Sequence, residues 1–451
     1  MTEGAGNDRS VIVELPPVGT GARARNRVRR QRERRVQQAW VIAAMVVLAA
    51  AIPSLGYVGF TKVFNTTEGR RVDAQNDPTR PNYEANVAPT PVLLLAETNP
   101  DGVSGLTMLS LDGSDTGGSV LFIPVKTVTS QLDTTTTTST TSTTATTAAP
   151  KTTTTNPSTS KTTTLAAAFL ANGEPDLDQL TANVVGLSFD EVVVMTDEQL
   201  AAFVAPAAPL TINNPDRLVE VDSAGRTTVV FAAGNLTLQA ADVPRFLSLR
   251  NPKESDLNRL ARHQLVWQAW LAAVKASSNP NVVPGETSSG LGRYVRGLAK
   301  GNVQFSTLPV TAEADSSGVE TFLPDANRIP ALMTSLVPLP TPASPGDRVR
   351  VRLLSGVGPV DASKLLATPL VSADSQITIV GNADRFDYST TEIVYYDDAF
   401  AGAAAELQQL FGVGQATKST TPADSEDVTV IIGKDLVDKR GLQITTGSGG
   451  G

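Results

Sequence analysis

The first apolar feature of the chain is an unbroken, uncharged run from Ala39 to Phe60, AWVIAAMVVLAAAIPSLGYVGF. About 20 residues at helical rise cross a ~30 Å hydrocarbon layer, so the run predicts a transmembrane helix. Trp40 at one end and Tyr57 with Phe60 at the other suit the two interfaces, and Pro53 is absorbed as a kink. Beyond a polar stretch punctuated by Pro78, Pro81 and Pro89, the apolar runs shorten to strand length at 91–95, 106–111 and 119–124. They are continuous rather than alternating, which suits strands buried on both faces. The pattern then switches between periods, with helices expected at 165–170, 177–185, 199–204, 256–276, 291–299 and 329–336 and strands at 189–195, 227–231, 303–308 and 319–323. Helix 256–276 is the strongest: Ser255 can cap it, and Leu257, Leu260, Trp267, Trp270, Leu271 and Val274 form its apolar side, while its first turns are polar. A last block opens with clean alternation at Val349-Arg350-Val351-Arg352-Leu353-Leu354 and continues with a helix at 361–368, strands at 377–380 and 391–395, a helix at 399–411 and a strand at 428–432. Helices alternating with strands predict α/β layers, and the last block is about the size of a small independent domain.

These patterns divide the chain into a disordered Arg-rich arm (1–38), the transmembrane helix (39–60), a linker without a fold (61–90), a large domain (91–336), a Pro-rich linker (337–346) and the small α/β domain (347–441). Within the large domain, residues 134–164 are almost exclusively Thr and Ser; an O-glycosylated, mucin-like stretch and a plain flexible insertion are equally compatible with that composition. Arg23, Arg25, Arg27, Arg29, Arg30, Arg32, Arg34 and Arg35 precede the apolar run, which places the amino terminus in the cytoplasm and everything after Lys62 outside. A cleaved signal peptide is the competing reading, with small residues at Ala49-Ala50-Ala51, but both the arm and the run are longer than signal peptides use. Residues 1–62 hold ten Lys or Arg against four Asp or Glu, so the exported remainder is strongly acidic in a chain of net charge −8. That balance argues against nucleic acid as a partner of the outer part. With no cysteine and one histidine, His263, there is no disulfide framework, thiolate chemistry or His-based zinc cluster.

The segments Leu93-Leu94-Leu95, Met108-Leu109-Ser110-Leu111-Asp112, Leu121-Phe122-Ile123-Pro124, Gly186-Leu187-Ser188-Phe189-Asp190 and Asp256-Leu257-Asn258-Arg259-Leu260-Ala261-Arg262 occur in an order that resembles the LytR-CpsA-Psr (LCP) family of bacterial envelope proteins. Residues 347–436, with Leu353-Leu354-Ser355-Gly356, Gly381-Asn382-Ala383-Asp384 and Ile432-Gly433-Lys434-Asp435, resemble the LytR carboxy-terminal domain. The resemblance implies a membrane-anchored α/β protein with a mixed-sheet, three-layer LCP-like domain followed by a small α/β domain. It also implies transfer of a glycopolymer from a polyprenyl pyrophosphate carrier to peptidoglycan, assisted by Mg²⁺.

The residues depart from that family where the chemistry would sit. Thr98 stands where the family has an Asp after the first strand, Gly102 and Ser104 where it has an Arg and an Asp, and Pro124-Val125-Lys126 where it has Pro-Arg-Asp. What remains is Arg250, Asp256, Arg259 and Arg262, the candidate ligand-binding set for a polyprenyl pyrophosphate, with His263 where the family commonly has Gln. The spacing of three lines up Asp256, Arg259 and Arg262 on one side of the helix start, either to grip an anion or as a surface ion-pair set. His263, read as a lone exposed helix histidine, is not expected to be a general base.

The expectation is therefore a single-pass protein of the cell membrane with no catalytic residues, metal or cofactor. It would bind a polyprenyl-pyrophosphate-linked glycan or peptidoglycan, or scaffold other envelope-assembly proteins. Two alternatives stay open: an active Mg²⁺-dependent glycopolymer transferase with a rewired site using Glu97, Asp101 or Asp112, and a membrane-anchored regulator whose arm contacts nucleic acid.

Overall fold

The computed structural model describes residues 76–131, 161–314, 318–358, 362–423 and 425–441. The expected arm, transmembrane helix 39–60 and first half of the linker lie outside the described residues, as does 134–160 of the Thr-rich insertion. Among the described residues no helix is long and apolar enough to cross a membrane.

From the amino end come β1 (Glu84–Asn86), β2 (Val92–Asn99), β3 (Gly102–Leu111) and β4 (Gly117–Ile123), then the pair β5 (Val128–Gln131) and β6 (Lys161–Thr164), then β7 (Glu191–Thr196). Two small antiparallel pairs follow, β8 (Leu210–Asn214) with β11 (Gly234–Leu238) and β9 (Leu218–Val221) with β10 (Thr227–Phe231). Next are β12 (Asn302–Thr307) and the hairpin of β13 (Val310–Ala314) with β14 (Glu320–Pro324). The central sheet has the order β12-β4-β3-β2-β7; its three inner strands are antiparallel and the two outer pairings parallel.

Side chains alternate across the sheet, and both faces are covered. Leu93, Leu95, Leu109, Leu111, Val120 and Phe122 pack against residues of the helices Asp197–Val204, Val243–Ser248, Asp256–Ala276 and Gly290–Lys300. Val92, Leu94, Ala96, Leu106, Met108, Leu121 and Ile123 pack against the helices Leu165–Asn172, Glu174–Val185 and Ile329–Leu336. This is the expected mixed-sheet, three-layer arrangement, and its double burial explains why the strands read as continuous apolar runs.

The carboxy-terminal domain is a six-stranded sheet of order β1-β16-β15-β19-β17-β18, built from β15 (Val349–Ser355), β16 (Ser375–Asn382), β17 (Glu392–Tyr395), β18 (Gln415–Lys418) and β19 (Val428–Ile432). Helices Ala362–Ser372 and Ala401–Phe411 pack on it through Leu366, Leu370, Leu407 and Phe411.

Two boundaries differ from expectation. The segment 61–90 was expected to have no fold, yet Glu84–Asn86 forms an edge strand antiparallel to β16. Its Glu-Ala-Asn sequence has no apolar alternation because pairing uses only the backbone; Arg352 adds an ion pair to Glu84. The close approach needs Gly381, where a Cβ would lie 2.0 Å from the Tyr83 carbonyl oxygen. The insertion was expected to run to Thr164, but Lys161–Thr164 is β6, antiparallel to β5, and the Thr164 hydroxyl then caps the next helix by accepting from the Ala167 amide. Threonine cannot build a core but, being β-branched, suits a pleated strand.

Candidate functional site

Glu97 lies on the same face of β2 as Leu93 and Leu95 and so points at the layer that contains helix Asp256–Ala276. Its partner across the ladder is Gly105, where a Cβ would stand 2.6 Å from Glu97 Oε2 and 3.1 Å from His263 Cε1. The missing side chain at Gly105 is what leaves room for a carboxyl and an imidazole to lie side by side against the sheet.

Helix Asp256–Ala276 supplies the other side. Ser255 caps it by accepting from the Leu257 amide at 3.3 Å, and the first turns then direct Asp256, Arg259, Arg262 and His263 inward. All four are buried, which corrects two expectations: the charged set is not on the surface, and His263 is not exposed. The physical reason is that each guanidinium finds its own carboxylate. Arg259 Nε donates to Asp256 Oδ1 at 2.6 Å, and its Nη1 reaches the Leu247 carbonyl at 3.0 Å. Arg262 pairs with Glu254 and also donates to the Leu249 carbonyl. Arg250, whose side chain is 33% exposed, donates to the Glu254 carbonyl at 2.6 Å and to Glu320 Oε2 at 3.2 Å. Three arginines thus meet Asp256, Glu254 and Glu320, one carboxylate each.

His263 bridges this set to Glu97. His263 Nε2 lies 2.9 Å from Arg259 Nη1, from which it accepts when the ring proton is on Nδ1, and 3.2 Å from the Leu247 carbonyl, to which it donates in the other tautomer. Nδ1 has no hydrogen-bond partner and sits 4.0 Å from Glu97 Oε2. The ring also meets Phe122 edge-on, with centroids 6.1 Å apart. Burial, then the Arg259 charge, hold the imidazole pKa well below its ordinary value, so His263 is neutral. Burial pushes the Glu97 carboxyl up to about 7, against the pull of Arg259 and with a further push from Asp197. Arg262 is also lowered, chiefly by burial and then by the neighbouring Arg259 and Arg250 charges, against the opposing Glu254 pair.

The structure brings Arg250, Asp256, Arg259 and Arg262 together as the sequence placed them, and adds Glu97, Glu254 and Glu320. Glu254 was within reach of a sequence reading, two residues before Asp256, whereas Glu320 arrives from β14 and leaves no local signal. The positions that depart from the LCP pattern serve the fold. The Thr98 hydroxyl donates to the Met195 carbonyl at 3.1 Å, and Val125 is in the second core. At Gly102 a Cβ would stand 3.0 Å from Leu170. Asp101 and Asp112 flank opposite ends of the ten-residue strand β3, about 35 Å apart at strand rise, so Glu97, Asp101 and Asp112 do not converge on one ion. Asp112 instead holds the β3–β4 turn, accepting from the amides of Thr116 at 2.8 Å and Ser114 at 3.1 Å. Among the described residues no group of three His, Cys, Asp or Glu is placed to hold a metal.

No curated protein matches the chain. Among solved structures it is similar to B. subtilis TagV, at 15% identity and a TM-score of 0.41, over 55% of this chain and 96% of that one. B. subtilis TagT is similar at 15% identity and a TM-score of 0.38, over 55% and 89% of the two chains, and TagT bound to LIIa-WTA at 14% identity and 0.38 over the same shares. Residues 348–436, the segment read as a LytR carboxy-terminal domain, match the family described as LytR cell envelope-related transcriptional attenuator.

Proposed function

We propose that this chain is a non-catalytic envelope protein of LCP type. It would be anchored by residues 39–60 with its folded domains outside, and would hold or scaffold a polyprenyl-pyrophosphate-linked glycopolymer rather than transfer it. The observation that carries the non-catalytic part is the charge balance around helix Asp256–Ala276: every arginine of the candidate set is engaged by a carboxylate of the chain itself. Transfer of a phosphoryl-linked group relies on preorganised positive charge or metal at the position where negative charge develops. Guanidinium groups already neutralised by Asp256 and Glu254 in the interior do not supply it, and Gly102, Ser104 and Val125 offer no replacement. The envelope and glycopolymer parts rest on the matched LytR segment and on the order of motifs in residues 91–336. Within the set, Arg250 is the residue left reachable by a ligand, while Arg259 and Arg262 act as framework.

The test is incubation of the full-length chain with lipid-linked glycan and peptidoglycan, with and without Mg²⁺. Absence of released polyprenyl monophosphate, the leaving group when the glycan is transferred with one phosphate, together with retention of the glycan by the protein, supports the proposal. Mg²⁺-dependent release overturns it.

A further inference from the structure

A large cleft lies on the opposite side of the central sheet from the arginine set, between the large domain and the carboxy-terminal domain. Its volume is about 760 Å³, within the range of small-molecule sites. Val185, Ile329 and Met333, all buried in the second core, give it an aliphatic floor. Arg348, Asp347 and Asp374 wall it from the carboxy-terminal domain, at the start of β15 and just before β16. Backbone contacts fix the two domains against each other. The Ser188 amide donates to the Thr341 carbonyl at 3.0 Å, the Thr90 amide to the Leu339 carbonyl at 2.8 Å, and β1 joins β16. A cleft pre-formed at a domain boundary is a preferred place for a ligand.

The charges in this cleft are not closed upon one another. Among the described residues Arg348 has one hydrogen bond, from Nη1 to the Val371 carbonyl at 2.9 Å. Burial lowers its pKa against the charges of Asp374 and Asp347, and neither carboxylate reaches ion-pair distance. Arg259 and Arg262 each meet a carboxylate directly, whereas Arg348 keeps N–H donors to spare. Asp347 and Asp374 are exposed, and with two carboxylates to one guanidinium the wall disfavours a simple anion. A simple amine would leave the arginine unanswered. Both signs over an aliphatic floor complement a zwitterion with an apolar body. No aromatic side chain among the described residues lines the cleft to offer a sugar ring a flat apolar face.

The spacing narrows the class further. Because Arg348 and Asp374 stand beyond ion-pair distance, they match charged ends separated by one or two peptide units, at about 3.8 Å per residue, better than the adjoining groups of a free amino acid. We propose that the cleft binds a short peptide with aliphatic side chains and free ends, its carboxylate on Arg348, its ammonium group against Asp374 and its side chains on the floor. This site is separate from the arginine set, and its fate does not depend on the non-catalytic reading.

The experiment is calorimetric titration of the full-length chain with trialanine, trialanine amide, N-acetyl-trialanine and the N-acetylglucosamine trimer. Trialanine is expected to bind, and amidation or acetylation to weaken it by about tenfold, as loss of a charge-assisted contact implies. Arg348→Gln should lose a similar factor for trialanine and become indifferent to amidation; Asp374→Asn should become indifferent to acetylation. Thermal melting checks that both variants are folded, and the end-blocked peptides test the parent with no substitution at all. The proposal is overturned if trialanine does not bind, if the blocked peptides bind the parent as well as the free one, or if amidation costs Arg348→Gln as much as the parent. Binding of the N-acetylglucosamine trimer in place of trialanine would make the cleft a glycan site and overturn it equally.

Discussion

Replacing Glu97 by Gln is expected to stabilise the protein at neutral and alkaline pH and to do little in acid. Glu97 is 4% exposed, and among the described residues no neighbour offers its carboxyl a hydrogen bond; burial pushes its pKa up to about 7 from 4.5. The native state therefore keeps a proton that the unfolded chain releases, and by linkage stability falls as pH rises from the unfolded pKa to the folded one, then stays level. At ~1.36 kcal/mol per unit, holding this carboxyl in the interior costs about 1 kcal/mol at pH 5 and about 2 at pH 6, where the native group keeps the proton that the unfolded chain releases, and about 3 above pH 7. Glutamine fills the same space next to Gly105 and has no charge to desolvate. For a domain of this size, about 3 kcal/mol corresponds to roughly 5–10 °C in melting midpoint. The assay is the midpoint difference between Glu97→Gln and parent full-length chain from pH 4.5 to 8, in which other titrations cancel. A difference that grows with pH up to about 7 and then flattens bears out the geometry. A constant difference would show that Arg259 cancels the cost of burial, and a variant less stable at pH 8 that it outweighs it; either result contradicts the raised pKa.

Two other predictions concern the role of Arg259 and the topology of the chain. Arg259→Ala strands the Asp256 carboxylate in the interior and removes the donor to His263 Nε2, so it should destabilise by about 3–5 kcal/mol, read as a large drop in melting midpoint. Unchanged melting with weakened pyrophosphate binding would instead make Arg259 a ligand contact. A reporter fused after Gly451 should be active only outside the cell, given the arginines before Ala39, and activity in the cytoplasm would remove the compartment on which the envelope role depends.

The layers of the fold were legible because each strand of the central sheet is buried on both faces. Leu93–Leu95, Leu106–Leu111 and Val120–Ile123 could not be anything but interior, and helix Asp256–Ala276 appears with the ends its cap predicts. Strands Thr227–Phe231 and Val428–Ile432 also appear where expected. Elements at the margins were harder. β1 and β18 are edge strands with mostly exposed side chains, and a ladder that uses only backbone groups leaves no apolar signature. β8 carries an alternation in Leu210-Thr211-Ile212, with both apolar residues buried, but it is only three residues long and lies among prolines that signal a loop. The helix Val243–Ser248 starts Val-Pro and is too short to show a period.

The site divides in the same way. That Asp256, Arg259 and Arg262 share one side of a helix follows from spacing, and the structure places them together. Their depth did not follow, because polar first turns read as solvated unless the carboxylates that neutralise them are known. Glu254 lies close in sequence, but Glu320 is brought in by β14 and Glu97 by β2, and long-range pairing of this kind leaves no trace in periodicity. The room that lets Glu97 and His263 approach depends on Gly105, whose partner across the ladder is known only once the register of β2 and β3 is known.

The central claim is that the arginines around helix Asp256–Ala276 are neutralised within the protein and no longer serve transfer chemistry. Its most direct test is single-turnover assay of the full-length chain with lipid-linked glycan and peptidoglycan at saturating Mg²⁺, monitoring release of polyprenyl monophosphate. The predicted result is no release above the metal-free control while glycan stays bound. Release that depends on Mg²⁺ and disappears in Arg250→Ala would contradict it.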